Sequence, residues 1–247
     1  MRTNPENCSG VSPDVSAVIL AAGRGLRFKS PTNKIYADLI GRPLLAYSLN
    51  WFTESDLVDE IVLVVSKGEE MATRALIRDW SLSARIICGG ERRQDSSLAG
   101  VETAQGAIVL IHDAVRPFIV PALIKRVVEG TRKYKATVPV LPEVNTIRHR
   151  DRDGFLCATM IDRTDLVQIQ TPQGFDRNLI CHALQEANQC GVDLSDDAAA
   201  LLRLGKPVFT VPGNHMNMKI TTQEDLDLAV LWARQLEKES FIPNNMF

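Results

Sequence analysis

The sequence predicts an α/β fold: a doubly wound, mostly parallel sheet with helices on both faces. Three observations carry that expectation. Nearly unbroken apolar runs of strand length recur at Val15–Ala21, Ile61–Val65 and Ala107–Ile111, as in strands buried on both faces. Amphipathic stretches of helix length lie between them, the alternation that builds β-α units. Glycine-containing loops follow several of the strands, at the sheet edge where ligands of parallel sheets gather.

The elements follow in order. Val15–Ala21 is the first buried strand. Pro43–Phe52 reads as a helix with proline at its first position, where the missing N–H costs nothing. Ile61–Val65 is a strand, Glu69–Trp80 a helix, Ala84–Cys88 a short strand and Asp95–Ala104 a helix. Ala107–Ile111 is a strand that runs out at His112 and Asp113, Ala122–Tyr134 a helix and Ala136–Leu141 a strand. Residues 142–162 break the alternation: they are charged and mixed in polarity, with a turn at Asp151–Gly154, and read as a β-hairpin arm. Asp176–Ala187 and Asp196–Leu204 are helical and Val208–Val211 is a strand. The last helix opens on a capping box, Thr221 with Glu224 three residues on. Leu226, Ala229, Val230 and Ala233 then form its apolar stripe. The expected organisation is a polar tail over residues 1–14 and a single domain over 15–240 that includes the arm.

Composition excludes several classes. The 247 residues are 45% hydrophobic, enough apolar surface to bury a core, so whole-chain disorder is excluded. A formal net charge of -2 argues against a general polyanion binder, hence no nucleic-acid partner, but leaves room for a local basic pocket. No apolar run approaches a membrane span and the N-terminus lacks the apolar core of a signal peptide. Five cysteines, without CxxC spacing, point to neither a disulfide framework nor a structural zinc site, and a cytoplasmic location is expected.

Five loops hold residues suited to chemistry. The first strand is followed by Ala21-Ala22-Gly23-Arg24-Gly25-Leu26-Arg27-Phe28-Lys29, then Asn33-Lys34. Small residues let the backbone approach a ligand, and the clustered cations call for negative charge or water. It is neither a dinucleotide fingerprint nor a P-loop, because both need glycine where Phe28 stands. Gly89-Gly90-Glu91-Arg92-Arg93-Gln94-Asp95-Ser96 sits between a strand and a helix and suits a base or ribose, or simple helix capping. His112-Asp113-Ala114-Val115-Arg116 ends a buried strand. There His112 reads as a packed structural histidine, and Asp113 as a site carboxylate or as a turn aspartate paired with Arg116. Lys219, before the last helix, and Asp162-Arg163-Thr164 with Gln170-Thr171-Pro172-Gln173, after the arm, complete the set.

Taken in order along the chain, with Ser195-Asp196-Asp197-Ala198 and Asn217-Met218-Lys219-Ile220-Thr221, these motifs resemble the sugar-phosphate cytidylyltransferases. Within them the resemblance is to the family acting on 2-C-methyl-D-erythritol 4-phosphate, from about Ser16 to Ala233. It implies a Rossmann-like nucleotidyltransferase with a protruding β-arm for dimerisation. The implied reaction transfers a cytidylyl group from CTP to that acceptor, with release of pyrophosphate, in isoprenoid precursor synthesis. On the family pattern Arg27 and Lys34 stabilise the transition state, and Arg163 and Lys219 position the second substrate. Ala21, Ala22, Gly23, Gly25, Gly90, Glu91, Ser96, Asp113 and Ala114 form the nucleotide pocket, and Thr146, Arg116 and Thr171 meet the acceptor. Mg²⁺ would accompany CTP, with Asp113 a possible ligand. The implied assembly is a homodimer in which Thr146 and Arg163 on the arm complete the partner's site. The chain departs from the pattern where Pro-Lys-Gln-Tyr becomes Asn33-Lys34-Ile35-Tyr36, where Glu91 replaces Asp, and at Gly213-Asn214-His215-Met216. Two other readings stay open: a ribitol 5-phosphate cytidylyltransferase, and a catalytically silent nucleotide-binding module on the same fold.

Overall fold

The structure, a computed structural model, describes residues 13–23 and 33–238, with side chains to 236. Its centre is a parallel block of four strands: β1 (Val15–Leu20), β4 (Glu60–Val65), β5 (Arg85–Cys88) and β6 (Ile108–Asp113), in the order β6-β1-β4-β5. The short β2 (Asp38–Leu39) and β3 (Arg42–Pro43) form a separate antiparallel pair between β1 and the first helix. Val15, Ala17, Val18 and Ile19 are fully buried, which is why β1 reads as a nearly unbroken apolar run, interrupted only by the buried Ser16, rather than an alternation.

Beyond β6 the sheet becomes mixed. β7 (Ala136–Pro142) is joined to β6 by the antiparallel β11 (Gln173–Asp176), and β12 (Phe209–Pro212) pairs parallel with β7. The arm leaves at the end of β7 and forms the hairpin β8 (Arg148–Arg150) and β9 (Leu156–Met160). It returns along β7 as the antiparallel β10 (Val167–Ile169). Asp151 builds its turn: the carboxylate accepts from the N–H groups of Asp153 and Phe155, and Gly154 takes a positive φ of 98°.

Helices cover both faces. α1 (Leu44–Thr53), α2 (Glu70–Asp79) and α4 (Pro121–Tyr134) pack on one, through Leu45, Leu49, Ile77, Leu123 and Val127. α3 (Arg93–Thr103), α5 (Arg177–Gln189) and α6 (Ala198–Arg203) pack on the other, through Val101, Ile180, Leu184 and Leu201. α7 (Gln223–Lys238) closes a third cluster with Leu39, Leu44 and Phe118.

Three expectations shift. Pro43 is the N-cap of α1, not its first residue, because its backbone still belongs to β3. The capping box of α7 lies one residue later than expected: Thr222 N–H donates to Asp225 at 2.9 Å and Asp225 N–H donates to Thr222 Oγ1 at 3.3 Å. Thr-Thr-Gln-Glu-Asp offers two overlapping matches, and burial of Ile220 in the α7 cluster sets where the helix starts. The third shift is β11, a four-residue strand without an apolar run, which the periodicity does not reveal.

Candidate active site

The parallel strands β1, β4, β5 and β6 all end at one edge of the sheet. Their loops, Ala21–Gly23, Ser66–Lys67, Gly89–Arg92 and Asp113–Val115, border a cleft of about 790 Å³ that Lys34 and Lys219 also line. The second glycine loop is shaped by close approach. A Cβ on Gly89 would lie 2.5 Å from Ser96 Oγ and 2.8 Å from Ala22 Cβ, and one on Gly90 2.4 Å from Asp95 Cβ. Ser96 Oγ accepts from Gly90 N–H at 3.2 Å and donates to the Arg92 carbonyl at 3.3 Å, so the serine holds the loop against α3. Glycine-loop backbone and serine thus form one wall of the cleft.

Beside it runs a row of alternating charges. Asp197, only 1% exposed at the N-cap of α6, pairs with Arg93 Nη1 at 2.8 Å. Arg93 Nη2 reaches Asp113 Oδ1 at 3.1 Å, and Asp113 Oδ2 receives Lys219 Nζ at 2.7 Å. Burial alone would push the Asp113 carboxyl up, but Arg93 and Lys219 outweigh it and hold it well below the usual carboxylate range. Asp113 is therefore an anion at neutral pH. Burial raises the Asp197 carboxyl, only partly opposed by Arg93. The Arg93 guanidinium is itself held charged, because its two carboxylates exceed the cost of burial.

Lys34 and Lys219 meet from distant parts of the chain. Lys34 lies on a single 3₁₀ turn, Lys34–Tyr36, and its Nζ donates to the carbonyl of Ile220 at 3.1 Å. Asn33 caps that turn. Its amide donates to the Ala21 carbonyl at 3.2 Å and to the Glu69 carboxylate at 3.2 Å.

The structure brings Ala21, Ala22, Gly23, Lys34, Gly90, Glu91, Ser96, Asp113 and Lys219 to the cleft. Ala114 does not line it: the residue is fully buried between Asp113 and Val115, with its N–H on the Leu20 carbonyl and its own carbonyl accepting from Ser48 Oγ at 2.7 Å. The alternative reading of Asp113, a turn pair with Arg116, is not what forms: Asp113 takes Arg93 and Lys219, and Arg116 Nη1 donates to the Asn217 carbonyl at 2.8 Å. Thr171 lies beneath the cleft, its Oγ1 2.9 Å from His112 Nδ1 and accepting from Asp113 N–H. His112 is fully buried, with Nε2 at the Arg116 carbonyl, and burial pushes its pKa down to about 3. It is a neutral packing residue that holds strand end to loop, as its sequence context implied. Thr146 and Arg163 lie exposed on the arm, away from their own chain's cleft, with Arg163 Nη1 donating to the Val144 carbonyl. Arg27 and Gly25 lie outside the described residues.

Sequence reasoning gave no role to Arg93 or Asp197, although both stand in quoted motifs. The available signal was an arginine at the first turn of a helix that follows a Gly-Gly loop, which aims its guanidinium along the strand ends. Among the described residues no group of three or more His, Cys, Asp or Glu is arranged to hold a metal. Asp113, held ionised, and Glu91 are carboxylates that line the cleft. One carboxylate with substrate phosphates is a common set for Mg²⁺.

A doubly wound sheet whose glycine loops and cations meet at its C-terminal edge defines a nucleotide-dependent transferase. The comparisons agree. Residues 15–235 match the family model described as 2-C-methyl-D-erythritol 4-phosphate cytidylyltransferase. The enzyme of that name from Clostridium beijerinckii is 39% identical over 225 residues, covering 90% of this chain and 99% of the relative. Among solved structures, the enzyme of that name from Thermus thermophilus is 33% identical, with a TM-score of 0.77 over 90% of this chain and 99% of the other. The 4-diphosphocytidyl-2C-methyl-D-erythritol synthase of Anaerococcus prevotii is 30% identical, with a TM-score of 0.78 over 90% of this chain and 96% of the other. The chain belongs to the 2-C-methyl-D-erythritol 4-phosphate cytidylyltransferase family and is a CTP-dependent nucleotidyltransferase. No helix among the described residues is long and apolar enough to cross a membrane.

Proposed function

We propose that this chain transfers the cytidylyl group of CTP to the phosphate of 2-C-methyl-D-erythritol 4-phosphate and releases pyrophosphate, for isoprenoid precursor synthesis. The observation that carries the assignment of roles is the convergence of Lys34 and Lys219 beside the glycine loops. Nζ of the first sits on the carbonyl next to the second, at 3.1 Å. An acceptor phosphate oxygen attacks the α-phosphorus of CTP, and negative charge builds on the α-phosphoryl oxygens and the leaving group. Fixed cations aimed there supply the main acceleration, since they need no reorganisation. Lys34 takes that part, with Arg27 from the preceding loop. Small residues at 21–23 and the Gly89-Gly90 turn offer backbone groups to the nucleotide.

Lys219 positions the acceptor, held in place by Asp113, and Arg116 and Thr171 support that side from below. Mg²⁺ bound with CTP would offset triphosphate charge, and Asp113 is the residue that would hold it. Its pairing with Arg93 and Lys219 keeps it ionised, but the two cations take both of its oxygens, so one of these contacts would have to open for a metal to bind.

The arm completes the site of a second copy. Val144, Phe155, Leu156 and Met160 are 68–78% exposed on it, apolar side chains that a second copy would cover. Thr146 and Arg163 then act in the partner's cleft. Mixing an Arg163→Ala subunit with an Arg27→Ala subunit should restore activity through the one intact site of the hybrid. Absence of restoration would mean that each subunit is self-contained. A pyrophosphate-release assay with CTP against methylerythritol phosphate and ribitol 5-phosphate, run in parallel, tests the acceptor. Preference for ribitol 5-phosphate would reassign the acceptor, and no release with either would favour a silent nucleotide-binding module.

A further inference from the structure

We infer that Asn33 and Glu69 are a positioning pair that sets the turn carrying Lys34, an inference that rests on the catalytic reading of Lys34. Asn33 stands at φ -60°, ψ 130°, directly before the 3₁₀ turn. Its side chain is used at both ends. Oδ1 accepts from Ile35 N–H at 3.4 Å, while Nδ2 donates to the Ala21 carbonyl and to the Glu69 carboxylate, each at 3.2 Å. The first contact ties Asn33 to the end of β1, and the second ties it to the N-terminus of α2. Three residues on, the Tyr36 hydroxyl lies 2.7 Å from Thr73 Oγ1, which donates to the Glu69 carbonyl at 2.8 Å. Lys34 is thus bracketed by two side chains held on the first turn of α2, Asn33 by the Glu69 carboxylate and Tyr36 by Thr73.

A short 3₁₀ turn has little stability of its own, so its orientation comes from such anchors. An ammonium on a four-carbon stem can miss a developing charge when its Cα shifts by a fraction of an ångström. Misplacements of about 1 Å cost on the order of 10²-fold in rate. The backbone at Asn33 also matches the φ of about -65° that a proline ring imposes. Among the described residues its N–H has no acceptor. A ring at this position would therefore supply by covalent restraint what the asparagine supplies by hydrogen bonds.

The test compares kcat and KM for CTP, by pyrophosphate release, in Asn33→Ala, Glu69→Ala, Asn33→Pro, the double variant Asn33→Pro/Glu69→Ala and Lys34→Ala. Asn33→Ala and Glu69→Ala should each lower kcat about tenfold with KM within about twofold, the signature of a misaimed group rather than a lost binding contact. Asn33→Pro should recover most of the wild-type kcat, and in that background Glu69→Ala should have a smaller effect than in the wild type. If Lys34→Ala is slow but Asn33→Ala turns over normally, the positioning role is wrong while the catalytic role of Lys34 stands. If Lys34→Ala turns over normally, the catalytic reading itself fails. Asn33→Pro as slow as Asn33→Ala would also overturn the inference.

Discussion

Replacing His112 with glutamine should make the protein less sensitive to acid without removing an essential base. His112 is fully buried, packed 5.3 Å from the Phe52 ring centroid and bonded through both ring nitrogens. Burial pushes its pKa from 6.5 down to about 3. The unfolded chain binds this proton more readily than the folded one, so the contribution to stability is complete above about pH 6.5. It is lost as pH falls toward 3. Linkage puts the loss at about 2 kcal/mol at pH 5 and about 3 kcal/mol at pH 4. At pH 8 the glutamine variant should be less stable than wild type by about 1–3 kcal/mol, from imperfect hydrogen bonding. That gap should shrink or reverse by pH 4.5, since glutamine does not titrate. Urea unfolding of both proteins at pH 8, 6, 5 and 4.5 measures the difference, and other titrating groups cancel in it. A gap that stays constant across the series would refute the claim that His112 is held neutral by burial.

Lys34→Ala should lower kcat by roughly 10²–10³, the scale for one lost transition-state donor, read by pyrophosphate release. Lys219→Ala should mainly raise KM for the sugar phosphate; an effect confined to CTP would contradict its assigned side of the cleft. Arg93→Ala should cost about 3–5 kcal/mol of stability, because it leaves Asp197 buried without its cation. Asp197 already has a raised folded pKa, and losing Arg93 raises it further, so the deficit should be larger at pH 8 than at pH 5 by denaturant melts. Gly90→Ala should weaken CTP binding, since its Cβ would meet Asp95 at 2.4 Å and push the glycine loop from α3. Titration calorimetry with a non-hydrolysable CTP analogue measures it.

Much of the fold is legible in the sequence because local physics decides it. The central stretches of β1, β4 and β6 are buried on both faces, so each reads as a nearly unbroken apolar run. Helices such as α4 show one apolar stripe, and glycine marks the loops where backbone meets ligand or helix. From these follow the α/β class, the sheet edge that gathers the loops, a hairpin arm over residues 142–162, and the candidacy of Lys34, Asp113 and Lys219. What the sequence could not disclose are pairings between remote segments. β11 is a short strand without periodicity, and it exists because β6 and β7 leave a slot between them. Which acidic partner caps α7 depends on where Ile220 is buried. Asp113 chooses Arg93 and Lys219 over its neighbour Arg116 because those two cations arrive at its oxygens across the cleft, while Arg116 turns to the Asn217 carbonyl. Charge pairing depends on distance in space, and only the packed sheet brings residues 93, 113, 197 and 219 within hydrogen-bond reach.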